Sequence, residues 1–135
     1  MPDINTLKTG DSLPERRFEP DTIQLFLYNA ILWNAHKIHF DLPYAVDVEG
    51  YPGLVMAGPL MGDWLTQTAI EWAGEAGQLL SIEYSNRQAS YIGDVLTSGG
   101  TIKSINTSDG TIELDIFVKN QRGDVLTPGV AIVRI

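Results

Sequence analysis

Two hydrophobic rhythms divide the chain, and they change over near Gly77. Before that point apolar residues recur at helical spacing; after it they alternate with polar ones. Pro20-Asp21 opens a first helix that carries Ile23, Phe26, Leu27, Ala30 and Ile31, and its period fades near Trp33-Asn34. Pro43 suits the first turn of a short helix, and Gly50, Pro52 and Gly53 make a loop. Pro59 starts the longest helix, at a position where its missing N–H costs nothing. From Leu60 to Ala73 the apolar residues run almost round the circumference, the pattern of a buried helix, and Gly74 and Gly77 end it.

The remainder reads as strands. Leu80, Ile82 and Tyr84 alternate with Ser81, Glu83 and Ser85, and Ile112, Leu114, Ile116 and Val118 alternate with Glu113, Asp115 and Phe117. Ile102 and Ile105 place another strand over about Asp94 to Asn106, and a last one runs from about Val125 to Ile135 with a candidate bulge at Pro128-Gly129. Ser108-Asp109-Gly110 and Arg122-Gly123-Asp124 are hairpin turns, because Gly supplies the positive φ they need. Tight turns join antiparallel strands, and such a sheet has one face to cover. The expected architecture is α+β: a curved antiparallel sheet wrapped around one long central helix, a single domain over residues 1–135.

Composition narrows the function classes. Apolar residues make up 44% and charged residues 19%, which is ordinary globular usage. Nine basic against 17 acidic residues give a formal charge of -8, a field that repels phosphate backbones and anionic membranes. Nucleic acid and membrane are therefore not expected as partners, and an anionic ligand needs a local exception. The absence of cysteine excludes disulfides, thiolate metal sites and a thiol nucleophile. Met1 to Leu13 holds Asp3 and Asp11 and no apolar run, so no signal peptide is read there, and no window is apolar over the length of a membrane span. The expected location is cytoplasmic.

The densest polar constellation is Asn34 to Asp41, which contains both histidines, His36 and His39. A histidine beside polar partners is the usual proton-transfer group near neutral pH; the plain alternative is a helix end whose histidines cap carbonyls or face solvent. A zinc site from His36, His39 and Asp41 lacks the helical His pair and acidic base of metalloenzyme motifs, so no metal is expected.

The run Tyr28 to Ala45, with Asn34, His36, Lys37, Ile38-His39, Phe40-Asp41 and Pro43-Tyr44, continues through Glu49-Gly50-Tyr51-Pro52-Gly53-Leu54-Val55 and Gly58-Pro59-Leu60. This block resembles the MaoC-like hot-dog hydratases and dehydratases. It is most similar to the branch that contains mitochondrial hydroxyacyl-thioester dehydratases and mesaconyl-CoA hydratases. The back half resembles them more loosely, through Tyr84, Arg87 and Gly93-Asp94.

The resemblance implies a hot-dog fold and a lyase without a cofactor. Its substrate would be a CoA or acyl-carrier thioester, hydrated as the enoyl form or dehydrated as the 3-hydroxyacyl form with R stereochemistry. His39 falls on the family histidine, and Gly58 on a glycine whose N–H faces the thioester carbonyl at the start of the long helix. Asn34 falls where the broad family has Asp, and a carboxamide can orient water but cannot take a proton. His36 is the candidate for the missing second group and Asp41 the other; a cap at the end of the first helix is the structural alternative for Asn34. Arg87 would pair with ligand phosphates or a substrate carboxylate, against an ordinary salt bridge to Glu83 or Asp94. Tyr51 would shape the loop over the site. Trp33, Trp64 and Trp72 read as core, with Trp33 a candidate wall of the acyl pocket. Members of the branch are commonly double hot-dog proteins, so a single unit implies a homodimer or a heterodimer with a related hot-dog subunit, this one being the catalytic member. The competing reading is a non-catalytic subunit that binds an acyl thioester or scaffolds its partner. A thioesterase ranks last, because Asp63 lies one turn too far into the helix.

Overall fold

The computed structural model describes residues 2–135. In sequence order it forms β1 (Arg16–Phe18), α1 (Thr22–Ile31), a 3₁₀ turn (Lys37–His39), a π turn (Tyr44–Val48), α2 (Gly58–Ala73), β2 (Gln78–Tyr84), β3 (Leu96–Asn106), β4 (Thr111–Lys119) and β5 (Val125–Arg134). The strands make one sheet in the order β1-β3-β4-β5-β2, antiparallel throughout. The sheet curls around α2, which is the expected hot-dog arrangement.

The core follows from the two rhythms. On β4 the inward set Ile112, Leu114, Ile116 and Val118 is fully or almost fully buried. It meets Leu60, Met61, Trp64, Leu65 and Ala69 of α2, all buried as well. Thr68, also buried, bonds Ser98 of β3 at 2.7 Å, so these two enclosed hydroxyls satisfy each other. At the sheet's short edge, Phe18 of β1 stacks on Trp64 with ring centroids 4.3 Å apart. The α2 helix ends at Gly74, whose φ of +80° suits glycine.

Several expectations shift by a residue or more. The strand β1 goes unpredicted, because three residues among charges carry no period. The bulge expected at Pro128-Gly129 lies instead at Leu126: Val118 pairs with Thr127 and Lys119 with Val125, while Pro128 and Gly129 keep regular register. A second bulge at Lys103 explains how Ile102 and Ile105, three apart, both serve the core. A third, at Leu80, turns that residue out to 39% exposure and gives its inward place to Leu79, while Ile82 still packs on the core and the Tyr84 ring lies against Gly62 of α2. Trp64 and Trp72 join or pack on the core, whereas Trp33 is 93% exposed and does not. Among the described residues, no helix is long and apolar enough to cross a membrane.

Candidate active site

The site begins where α1 stops. Trp33 N–H reaches Ala30 O at 3.2 Å and Asn34 N–H reaches Asn29 O at 2.9 Å, the paired bonds of a Schellman ending. Trp33 holds the left-handed position with φ +56°, where glycine is usual, so the turn carries strain. Asn34 thus takes part in closing the helix, as the cap reading expected, through its backbone N–H, while Trp33 holds the left-handed position. The Asn34 carboxamide instead accepts from His36 N–H at 3.1 Å and sets the loop that leads to both histidines.

His39 is 7% exposed, while His36 lies on the surface. Their rings meet edge to face at 5.8 Å. His39 Nδ1 donates to Val55 O at 2.6 Å. A carbonyl only accepts, so the proton sits on Nδ1 and Nε2 keeps its lone pair in the neutral ring. His36 Nε2 lies 3.9 Å from Glu49 Oε1, which also accepts from Tyr44 OH at 3.0 Å. That hydrogen bond to the Glu49 carboxylate raises the Tyr44 phenol above its usual value. Asp41 accepts from Tyr44 N–H at 3.1 Å and so caps the π turn. Asp41 is therefore engaged in capping rather than paired with His39 or His36.

The strap from Leu54 to Gly58 carries the other half of the site. Val55 N–H donates to Ile38 O, Met56 N–H to Ser90 O, and Ile92 N–H to Leu54 O, which fixes the strap between the histidine turn and the β2–β3 connection. The strap delivers Ala57 as an N-cap whose methyl group bonds no amide; Pro59 has no N–H and Leu60 N–H turns back to Ala57 O at 3.1 Å, so among the described residues the Gly58 N–H is the amide of this turn left without a partner. On the face towards β2, a Cβ on Gly62 would overlap the Tyr84 ring, and a Cβ on Gly58 would overlap Asn86 Nδ2. Glycine at these two positions is what lets the end of β2 lean on the helix.

Tyr51 packs at 6.3 Å from Tyr91 and donates its N–H to Ala45 O, so it braces the loop and makes no bond to His39 or Gly58. Arg87 Nε donates to Ser85 Oγ at 3.2 Å. Among the described residues it forms no ion pair: Asp94 is engaged by Tyr91 N–H and Gln121, and Glu83 does not bridge to it. The expected salt bridge is replaced by a guanidinium facing a groove of about 410 Å³ that Glu83, Tyr84 and Pro128 also line. A second cleft, of about 260 Å³, lies between α1 and the histidine loop, with Phe26, Trp33, Asn34 and Phe40 as walls. The structure thus groups His39, His36 and Glu49, with His39 bonded to the strap that leads into α2; Asn34 joins them through its link to the His36 backbone.

Sequence reasoning missed two contributors. Tyr28 OH donates to Asp63 Oδ2 at 2.7 Å, clamping α1 to α2; burial and then this bond push the phenol well above its ordinary value. An acidic residue within so apolar a helix was the available signal. Asn86 gave no signal, since its neighbours Ser85 and Arg87 form an unpatterned polar loop.

The model of the family described as hydroxyacyl-thioester dehydratase type 2 matches residues 4–92. That stretch holds α1, both histidines, the strap and α2. The chain belongs to this family. It is 50% identical over 54 residues to the mesaconyl-C(4)-CoA hydratase of Chloroflexus aurantiacus, a match covering 40% of this chain and 19% of that protein. It is 44% identical over 52 residues to the mitochondrial hydroxyacyl-thioester dehydratase type 2 of Schizosaccharomyces pombe, covering 37% of this chain and 17% of that one. The match thus spans about a fifth of each relative's own length. Among solved structures, a MaoC-like dehydratase superposes with a TM-score of 0.90 at 22% identity over 99% of this chain and 42% of the other. At that identity the likeness concerns the fold.

Proposed function

We propose that this member of the family is a hydro-lyase that adds water reversibly to an enoyl thioester of CoA or an acyl carrier, giving the R-3-hydroxyacyl thioester. The observation that carries the reading is the buried His39 imidazole, its Nδ1 proton tied to Val55 O and its Nε2 free, on the strap that ends at the amino end of α2. In hydration Nε2 takes a proton from water while the water oxygen bonds to the β-carbon. Charge moves to the thioester oxygen, where the Gly58 N–H and the positive end of α2 stabilise it. The imidazolium then returns its proton to the α-carbon, so one ring carries both transfers and the net change is addition of H and OH. The Asn34 carboxamide orients water and takes no proton. His36, backed by Glu49, supplies positive charge when protonated, and Arg87, lacking an ion pair, receives ligand phosphates or a substrate carboxylate.

A second reading keeps the fold and drops the turnover. It is favoured by Asn34, whose Oδ1 is already occupied by His36 N–H. A non-catalytic subunit would still bind acyl thioester beside a related hot-dog partner. Either reading calls for a second hot-dog unit, identical or homologous. Support comes from β2, an edge strand paired on one side only, and from the exposed apolar face of α1 and its following loop.

Hydration of enoyl-CoA substrates of increasing acyl length, with the assembly state measured on the same sample, tests the choice. Turnover by the wild-type protein supports the enzyme, and binding without turnover supports the alternative. Asn34→Asp refines it: an unchanged rate shows that the amide suffices, whereas a large gain shows drift from a two-group mechanism.

A further inference from the structure

We propose that Asn86 is a second donor to the thioester oxygen, its carboxamide standing beside the Gly58 amide at the start of α2. The inference rests on the hydration reading and adds a residue to it. Thr127, completely buried, donates its hydroxyl to Asn86 Oδ1 at 2.9 Å. That bond fixes which way the carboxamide faces: the oxygen is held on β5, and the NH₂ group is turned to the helix. There Nδ2 lies so near Gly58 that a Cβ would overlap it. Asn86 is itself exposed, and its Nδ2 donates to no acceptor among the described residues, so the group is open to an incoming ligand. Thr127 Oγ1 also lies 3.5 Å from Met61 Sδ within the core, which anchors the supporting hydroxyl on α2 as well as on β5.

Two N–H donors, one from the backbone at the start of α2 and one from a loop carboxamide held by Thr127 of β5, meet the requirement for stabilising charge that develops on a carbonyl oxygen. Position 58 therefore serves twice: its backbone N–H is one donor, and its lack of a side chain leaves room for the carboxamide that is the other. The donation strengthens as the enolate forms, so its loss lowers kcat more than it raises KM.

The experiment uses the full-length protein in two assays. The first follows hydration of crotonyl-CoA by the wild type, Asn86→Ala and Asn86→Asp. The second follows ultraviolet absorbance of the enolate of bound acetoacetyl-CoA, a readout that needs no turnover. Removing one such donor costs about 10²-fold in kcat, so Asn86→Ala is expected to fall by that order with KM little changed, and Asn86→Asp by at least as much. Both variants should still bind acetoacetyl-CoA and lose its enolate band. Gly58→Ala should match Asn86→Ala, and the double variant should be no worse than either. A kcat within twofold of wild type in Asn86→Ala, or an enolate band that persists in it or is missing from the wild type, overturns the role of Asn86. Absence of wild-type hydration with an enolate band that depends on Asn86 overturns the hydration reading and leaves the donor assignment standing.

Discussion

The curled sheet and the segment from Asp21 to Val48 are packed on opposite terms. In β3, β4 and β5, inward residues such as Ile102, Leu114 and Val133 are almost completely enclosed, and the ladders satisfy the backbone. The front segment anchors few residues, among them Leu25, Asn29, Ile38 and Ala45. Among the described residues, ten of the fourteen large apolar ones that stay exposed lie between Ile23 and Val48. What holds this segment is largely polar: the Schellman ending, the Asn34 side-chain turn, the Asp41 cap, the His39–Val55 bond and the Tyr28–Asp63 clamp. The difference teaches where chemistry can be placed. A close-packed core rarely tolerates an unpaired donor or acceptor, whereas a segment built from caps and turns can leave Nε2 of His39 and the Gly58 amide without a partner among the described residues.

That contrast can be broken or sharpened in five ways. His39→Ala should have the largest effect, lowering the hydration rate by about 10³-fold or more with the protein still folded, its urea midpoint lowered by the lost bond to Val55 O; a retained rate would remove His39 from the site. In the sheet, Leu114→Ala should cost about 2–5 kcal/mol, measured by the same unfolding curves. Ile31→Ala, at a position 77% exposed, should change stability by no more than about 0.5 kcal/mol. A larger loss at Ile31 that depends on protein concentration would show that a partner covers this face. Next, Trp33→Gly relieves a left-handed non-glycine residue and should raise stability by about 1 kcal/mol; any fall in activity in the stabilised variant would show Trp33 touching ligand.

The smallest effect concerns pH. The Tyr28 phenol is raised in the folded state, so its proton is bound more tightly than in the unfolded protein. Its contribution is complete below the ordinary tyrosine value of 10.0 and is lost as pH rises beyond it. Tyr28→Phe should flatten the alkaline limb of the stability profile. An unchanged limb would mean that the clamp does not hold α1 to α2.

Legibility in the sequence differed along the same line. The strands and α2 could be read because burial on one face imposes a period, and the hairpin glycines appear where expected, at Gly110 (φ +73°) and Gly123 (φ +83°). Bulges at Leu80, Lys103 and Leu126 could not, since one extra residue is set by strand pairing across the sheet and leaves no local mark. The histidine motif was readable as chemistry through its composition and its family likeness. The burial of His39 and exposure of His36 were not, because three residues of 3₁₀ turn give both the same local character.

Sequence alone determined the class of the fold, the long apolar helix, the turns and the candidate imidazoles, because each depends on neighbours a few positions away. Tertiary structure decided which nitrogen of His39 is free, that the Asp63 carboxylate serves as a clamp, and that Asn86 stands at the start of α2. Those depend on groups brought together from 16 to 41 positions apart in the sequence. Hydrogen bonds over such separations exist only once the sheet has closed around the helix, and no periodicity encodes them in advance.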